Sequence, residues 1–527
     1  MSFVIDDFNS LKTLYWVLSL IFLGSYCADV ITYRKGARFP TGGNLPSLTP
    51  RFILNLCFSV KAAEICEQGY KKFKDQAFRL VRSDGDSVVL PHSVLDELSA
   101  LPVTVASPQD ALEKDLKGWY TGMNLILENR LHHSIVQRKL TPRLHQITPL
   151  LERKVTKAFE DCFPQAEDWV EFQPNHVFKQ ISPRLNAPPL VGPEFSDDPV
   201  WLDIAYNYTE QPKVSLLVFR TILILRLFPH LIQPLVALFL PSFWKSRLCV
   251  WRARRVLEPR VRELLAKNDS GEWDPQASGR EADWNVLSWL VGAVRGRDRN
   301  PYTVAHAEVL LTFASTHTSL NRISNVLFDL VGAGPGLARE LRAEIETVAV
   351  GPRGWSDAPY DRLHKLDSLL RESQRTSPVV ILGMKRLFLA PHTFKSGLHV
   401  PRGTFACMPI AAIENDPAHV RDPEVFDALR YYRLRQEAPD EHAAREFDFS
   451  SPTRTSLSFG YGRTACPGRF FASLAIKMVV VKLLTEYEFK FLPGKGRPTN
   501  MMFHDFQFPP PWERVLVRRK KEGVCPY

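Results

Sequence analysis

The stretch Phe459-Gly460-Tyr461-Gly462-Arg463-Thr464-Ala465-Cys466-Pro467-Gly468-Arg469-Phe470-Phe471-Ala472 decides how the rest of the chain is read. It sets one cysteine in a glycine-punctuated loop just ahead of a helix expected from about Arg469 to Leu484. Gly462 and Gly468 permit tight turns, so backbone N–H groups can converge on the sulfur. A helix N-terminus beyond the cysteine also favours thiolate over thiol. A shielded thiolate with amide donors suits an electron-donating axial ligand of a haem iron. Most lone cysteines are plain buried groups, and on these residues alone both readings of Cys466 stand.

Two segments upstream carry further polar residues in apolar surroundings. Phe313-Ala314-Ser315-Thr316-His317-Thr318-Ser319 lies inside a long apolar helix expected over Ala305–Leu330. Its hydroxyls suit core groups bonded back to helix carbonyls as well as they suit chemistry. In Arg371-Glu372-Ser373-Gln374-Arg375, Glu372 and Arg375 lie three apart and share a helix face. A solvated surface pair is the ordinary explanation of that spacing. Gly332-Ala333-Gly334-Pro335-Gly336 has a dinucleotide-loop look but follows a helix, with Leu337 at the third glycine position and Pro335 spoiling the turn. It is discarded as a dinucleotide loop.

Taken together these pieces resemble the cytochromes P-450. Phe459, Gly462, Cys466, Gly468 and Ala472 match the haem-binding signature, whereas Thr464 stands where that family mostly carries Arg or His. The resemblance leaves the propionate contact to Arg463, with Arg138 and Arg386 at other positions where the family places such arginines. Glu372 and Arg375, about 90 residues before Cys466, resemble the family's Glu-x-x-Arg helix. Asp422 to Tyr431 resembles the loop that completes the pair and nominates Arg430, with Ala428 replacing a proline. The trio Glu372, Arg375 and Arg430 is implied as a structural network. Ala314 and Thr318 match the oxygen-side helix, while Ser315 replaces Gly and His317 replaces the acid. This Ala-x-x-His-Thr version resembles that of filamentous-fungal members.

Composition sets the frame. The 527 residues are 45% apolar and 24% charged, which excludes collagen-like and wholly disordered chains. The formal charge of +10 permits anionic partners, but there is no basic stripe and no nucleic-acid reading module, so no nucleic acid is expected. The eight cysteines contain no Cys-x-x-Cys pair, and a disulfide framework is not expected. Leu14 to Ala28 lacks charge, with Val30 and Ile31 beyond Asp29, and reads as one membrane anchor in preference to a cleaved signal peptide or a buried helix. One Lys precedes it and Arg34, Lys35 and Arg38 follow, which places the body in the cytoplasm; the sequons at Asn207 and Asn268 then stay unmodified. The expected division is an anchor over 1–38, a Pro/Gly hinge over 39–52 and one body over 53–527. A second apolar zone, Val214–Trp244, is interrupted by Arg220, Arg226, His230 and three prolines. It reads as an interfacial element or a plain buried helix pair, not a span.

The expected fold is mainly α with a minor β region, the cytochrome P-450 fold behind a single N-terminal transmembrane helix. Helices are expected over Leu112–Asn268, broken between Pro183 and Pro199, with short β-like runs after Arg375. The resemblance implies haem b held by the Cys466 thiolate, with Ala314 against the haem and Thr318, aided by His317, delivering protons to bound O₂. It implies insertion of one oxygen atom into an apolar small molecule at the endoplasmic reticulum membrane. Electrons would come from a separate NADPH–cytochrome P-450 reductase, steered by a basic surface of Arg463, Arg469, Lys477 and Lys482. Two rivals are a same-fold haem-thiolate enzyme needing no external electrons and a non-catalytic membrane-anchored binding protein. The residues do not identify the substrate.

Overall fold

The computed structural model describes residues 51–527 apart from 83–84, 125–130, 208–216, 229, 276–278 and 357, together with 39–42 and a few positions between 15 and 27. The expected anchor, Leu14–Ile31, therefore lies largely outside the described residues. Among those residues, no helix is long and apolar enough to cross a membrane.

Eight helices position the site: α1 (Pro108–Leu116), α2 (Pro174–Leu190), α3 (Leu217–Leu225), α4 (Pro241–Asp269), α5 (Pro301–Ala333), α6 (Pro335–Val350), α7 (His364–Thr376) and α8 (Arg469–Glu486). The central one is α5. Asn300 caps it by accepting from the Thr303 N–H at 2.8 Å, and Pro301 takes the first position, where its missing N–H costs nothing. Gly334, at φ +85°, ends it and Pro335 opens α6, so the Gly332–Gly336 run is a boundary between helices. Apolar residues surround α5 on nearly every face, which is why it runs through the core packed against α2, α4, α7 and α8.

The break expected between Pro183 and Pro199 starts later than the prolines suggest: α2 continues through Pro183, Pro188 and Pro189 to Leu190, and the helical pattern is interrupted only from Val191 to Asp198. Tertiary packing against α5 outweighs the lost ladder bonds, and the Ser182 hydroxyl donates to Thr316 O at 3.2 Å. The two later prolines fall in the last turn. There the N–H groups of Val191 and Gly192 both reach Ala187 O.

Strands are few. The largest sheet has five, in the spatial order Phe78–Leu80, Ser87–Val89, Phe405–Met408, Gly383–Phe388 and Ala106–Ser107. Part of the expected hinge is tied to its edge, where Arg79 N–H donates to Pro40 O and Gly42 N–H to Arg79 O, both at 2.8 Å. A hairpin of Met501–Phe503 and Phe506–Phe508 turns at His504 and Asp505. Asp505 and Asp115, joined by Lys385 at 2.5 Å from each, receive the fully buried Arg226 of α3. Burial works against the Asp505 carboxylate, but Lys385 and Arg226 hold it well below the usual range. The Val214–Trp244 zone thus sends one charge inward. Leu231, Leu235, Leu238, Phe239 and Trp244 face outward.

Candidate active site

The Cys466 loop is built by backbone geometry. Cys466 N–H donates to Phe459 O at 2.7 Å, closing the loop on itself. Gly460, at φ +77°, is required there, since a Cβ would sit 2.9 Å from Thr464 O. Gly462, at φ +59°, makes the second turn against Ser99. Gly468 does not use the freedom of glycine for its turn. Its φ is −89°, and a Cβ on it would meet nothing within 4 Å because the position opens onto a cavity.

That cavity has a volume of about 610 Å³, in the usual range for a ligand site. Cys466, Phe459 and Gly468 form one wall, Ala314 and Thr318 of α5 another. Of the eight cysteines only Cys466 lines it. Burial pushes the Cys466 thiol up, while the N–H groups of Gly468 and Arg469 and the Arg469 guanidinium pull it back. A thiolate here is partly prepared by its amides and completed by a cation at the sulfur.

Buried carboxylates pin the loop from behind. Glu414 accepts from Leu457 N–H at 2.6 Å, Ser458 N–H at 2.7 Å and the Ser458 hydroxyl at 3.0 Å. Asp367 accepts from Phe449 N–H at 2.5 Å and pairs with Lys477 at 2.6 Å. Lys477 is therefore buried, and so is Lys482, paired with Glu486 at 2.7 Å. Neither belongs to the expected basic surface, because each apolar stem is packed in the core and each charge has an internal partner.

The structure brings the trio together. Glu372 pairs with Arg375 at 2.6 Å and accepts from Arg430 Nε at 3.2 Å and from Asp427 N–H at 3.0 Å. Arg375 also reaches Asn415 Oδ1 at 2.5 Å and Pro423 O at 2.8 Å. Every oxygen of this buried carboxylate is used, the condition under which a buried pair holds.

On α5, Ala314 and Thr318 are the only exposed residues between Val304 and Leu330, and both open on the cavity. The Thr318 hydroxyl donates to Ala314 O at 2.8 Å. His317 is elsewhere. It is buried off the cavity wall with its ring edge on Phe313, and burial with the Lys179 charge lowers it to about 3. It stands as a neutral imidazole, so it brings no charged acid to Thr318.

Three arginines were candidates for the propionate side. Arg386 is buried and donates to Thr464 Oγ1 at 2.9 Å, with Thr464 on the cavity wall. The charge that residue 464 itself lacks is thus supplied through space by Arg386. Arg463 and Arg138 are exposed and off the wall. Among the described residues His132 and His133 line it, as do Arg322 and Gln374 farther along the chain, and the motif reading gave none of them a place in the site. Their signal is spatial, not local.

The sequence profile of the family Cytochrome P450 matches residues 233–517. The monooxygenase olcJ of Penicillium canescens is 32% identical over 94% of this chain and 90% of its own length. The ent-kaurene oxidase of Fusarium fujikuroi is 31% identical over 98% and 95%, and the monooxygenase terK of Tolypocladium album 31% over 96% and 94%. This chain belongs to the cytochrome P450 family. It is an oxidoreductase of the monooxygenase class, and its cofactor is a haem whose iron takes a cysteine ligand. As a P450 the chain passes a test of fit: one cysteine in an apolar cavity, amide donors at its sulfur, a glycine with open space above it and a buried arginine at one margin.

Proposed function

We propose that this P450 is membrane-anchored, holds its haem iron through Cys466 and inserts one atom of O₂ into an apolar intermediate of fungal secondary metabolism. A terpenoid is the favoured class, in keeping with the ent-kaurene oxidases among the relatives. Electrons come from a separate NADPH–cytochrome P450 reductase, and the site of action is the cytoplasmic face of the endoplasmic reticulum. The observation that carries the reading is Cys466 as the one cysteine on the wall of a mostly apolar cavity.

When bound, the haem supplies activation of O₂, which no side chain here can do. Cys466 would hold it from one side and α5 would cover the other, with Arg386, through Thr464, beside its carboxylates. The Thr318 hydroxyl gives its proton to Ala314 O and keeps its oxygen lone pairs toward the cavity, so it can accept a proton and pass one on. The leucines and phenylalanines of the walls exclude water and select substrate by shape. Outward apolar residues from Leu231 to Trp244 support a second contact with the bilayer interface, beside the Leu14–Ile31 anchor. Arg463 is exposed on the Cys466 loop, where it suits an acidic redox partner.

The test is the ferrous–carbon monoxide spectrum of the wild type and Cys466→Ser, followed by turnover in microsomes with and without reductase. A thiolate-type spectrum lost on substitution, with turnover that requires reductase and NADPH, is the expected result. Retention of that spectrum in Cys466→Ser overturns the assignment.

A further inference from the structure

Arg322 sits on α5 one turn beyond Thr318, and among the described residues it is the lone arginine on the wall of the Cys466 cavity. It is 4% exposed and donates to Ser377 O at 2.9 Å and to Ser373 Oγ at 3.3 Å, both neutral acceptors. Among the described residues no carboxylate lies within ion-pair distance of it. The two acids nearest in effect are engaged elsewhere: Asp329 with Arg497 at 2.6 Å, Glu414 with the Leu457–Ser458 backbone. Burial lowers its pKa to about 10, so the guanidinium remains charged at neutral pH. A buried cation with only neutral partners is costly, and its field in a water-excluded cavity is strong. Gln374, between Ser373 and Ser377, lines the same cavity without adding a counter-charge.

We propose that Arg322 is a fixed positive charge that raises the reduction potential of the haem iron and so favours acceptance of the first electron. The inference rests on the reading that Cys466 holds the haem. One electron arrives from the reductase, no proton is required, and the ferric centre becomes one charge more negative. A neighbouring cation stabilises that state more than the ferric one, whereas the Cys466 thiolate acts in the opposite sense. Arg322 therefore acts by positioning charge, not by touching substrate.

The experiment is a spectroelectrochemical titration of full-length, haem-loaded protein: wild type, Arg322→Gln, Arg322→Lys and Gln374→Glu. Arg322→Gln removes the charge, Arg322→Lys keeps it, and Gln374→Glu leaves Arg322 in place but offsets it. At fixed solution potential the first and third should hold on the order of tenfold less ferrous protein, about 59 mV for a one-electron couple, while Arg322→Lys stays near wild type. Each carbon monoxide spectrum reports thiolate ligation separately from the potential. Wild-type potentials in both Arg322→Gln and Gln374→Glu, with thiolate spectra intact, overturn the proposal. If Arg322→Gln does not load haem, Gln374→Glu alone decides it. A wild-type protein without a thiolate spectrum would remove the Cys466 reading on which the proposal stands.

Discussion

The cysteine side of the Cys466 cavity and the α3–α4 region are held by different physics. On the cysteine side, buried charges with complete partner sets fix the backbone: Glu414 on Ser458, Asp367 on Phe449 and Lys477, Glu372 on Arg375 and Arg430. On the far side of the molecule, off the cavity wall, α3, α4 and the turns between them rest largely on apolar contact, with Arg226 as their deep charged anchor. Directional bonds permit one geometry, whereas apolar packing tolerates several of similar energy. The first arrangement suits a cofactor that never changes, and the second suits a region free to shift.

The sharpest way to break this contrast is Glu372→Ala. It leaves Arg375 and Arg430 buried beside a missing carboxylate, for which about 3–5 kcal/mol of lost stability is expected. The denaturant midpoint and the haem-to-protein ratio should fall together. A variant with both unchanged would mean that apolar packing alone holds the cysteine side.

A second test uses acid. His306 accepts from Arg254 at Nδ1 and gives its Nε2 proton to Gly122 O; burial first and then Arg254 lower it to about 4. His317 is lowered to about 3. Both are held below the unfolded value of about 6.5, so between there and pH 4 the unfolded chain binds more protons. Stability is thus full above pH 6.5 and lost as pH falls, by about 2–3 kcal/mol for His317 at pH 4.5. His317→Phe should flatten this limb in urea titrations at pH 4.5–7.5. An unchanged pH slope would mean that His317 is not held neutral.

These residues also mark what was legible in the chain. The Cys466 loop could be read because its signal is local, glycines at turns ahead of a helix, and α5 was legible as an apolar run over Ala305–Leu330, short of its start at Pro301. The three-residue spacing of Glu372 and Arg375 pointed to a structural network only through the family resemblance. The burial of Lys477 and Lys482 was not legible. For Lys477 the partner, Asp367, lies on a different helix, and nothing in the local pattern of α8 announces that pairing. The Arg386–Thr464 bond spans 78 residues, so a motif naming residue 464 alone finds a gap where the fold has a charge. Arg138 and His317 fit a pattern, yet the helix turn at each carries the side chain away from the cavity. The prolines of α2 set the expected break too early because propensity is local and burial is not.

Thr318→Val separates chemistry from packing on α5 itself. Valine keeps volume and branching but loses the bond to Ala314 O, at about 1 kcal/mol of stability. Haem content and substrate binding should stay near wild type. Coupling should not: positioned acid–base groups contribute about 10²–10⁴-fold, so NADPH consumption should divert to peroxide. An unchanged ratio of product to NADPH would assign the proton to ordered water alone.

The smallest effect on stability is expected at the far side, and it tests the contrast from the other end. Leu238 and Phe239 are 54% and 78% exposed, so replacing both with serine removes little that the fold buries. Exposed substitutions of this kind stay within about 0.5 kcal/mol. If the outward face of this zone meets a bilayer, the same change has a large consequence elsewhere. Each side chain would bring apolar surface into the interface at roughly 25 cal/mol per Å², and two such residues are worth severalfold in partitioning. The measurement is sedimentation with phospholipid vesicles of a chain lacking residues 1–35, so that the amino-terminal segment does not mask the effect. Binding that falls on Leu238→Ser/Phe239→Ser, with the denaturant midpoint unmoved, means that the far side is stabilised from within and exposed for a purpose. Equal vesicle binding would leave that apolar face without a membrane role, and a lowered midpoint would show that it contributes to the fold after all.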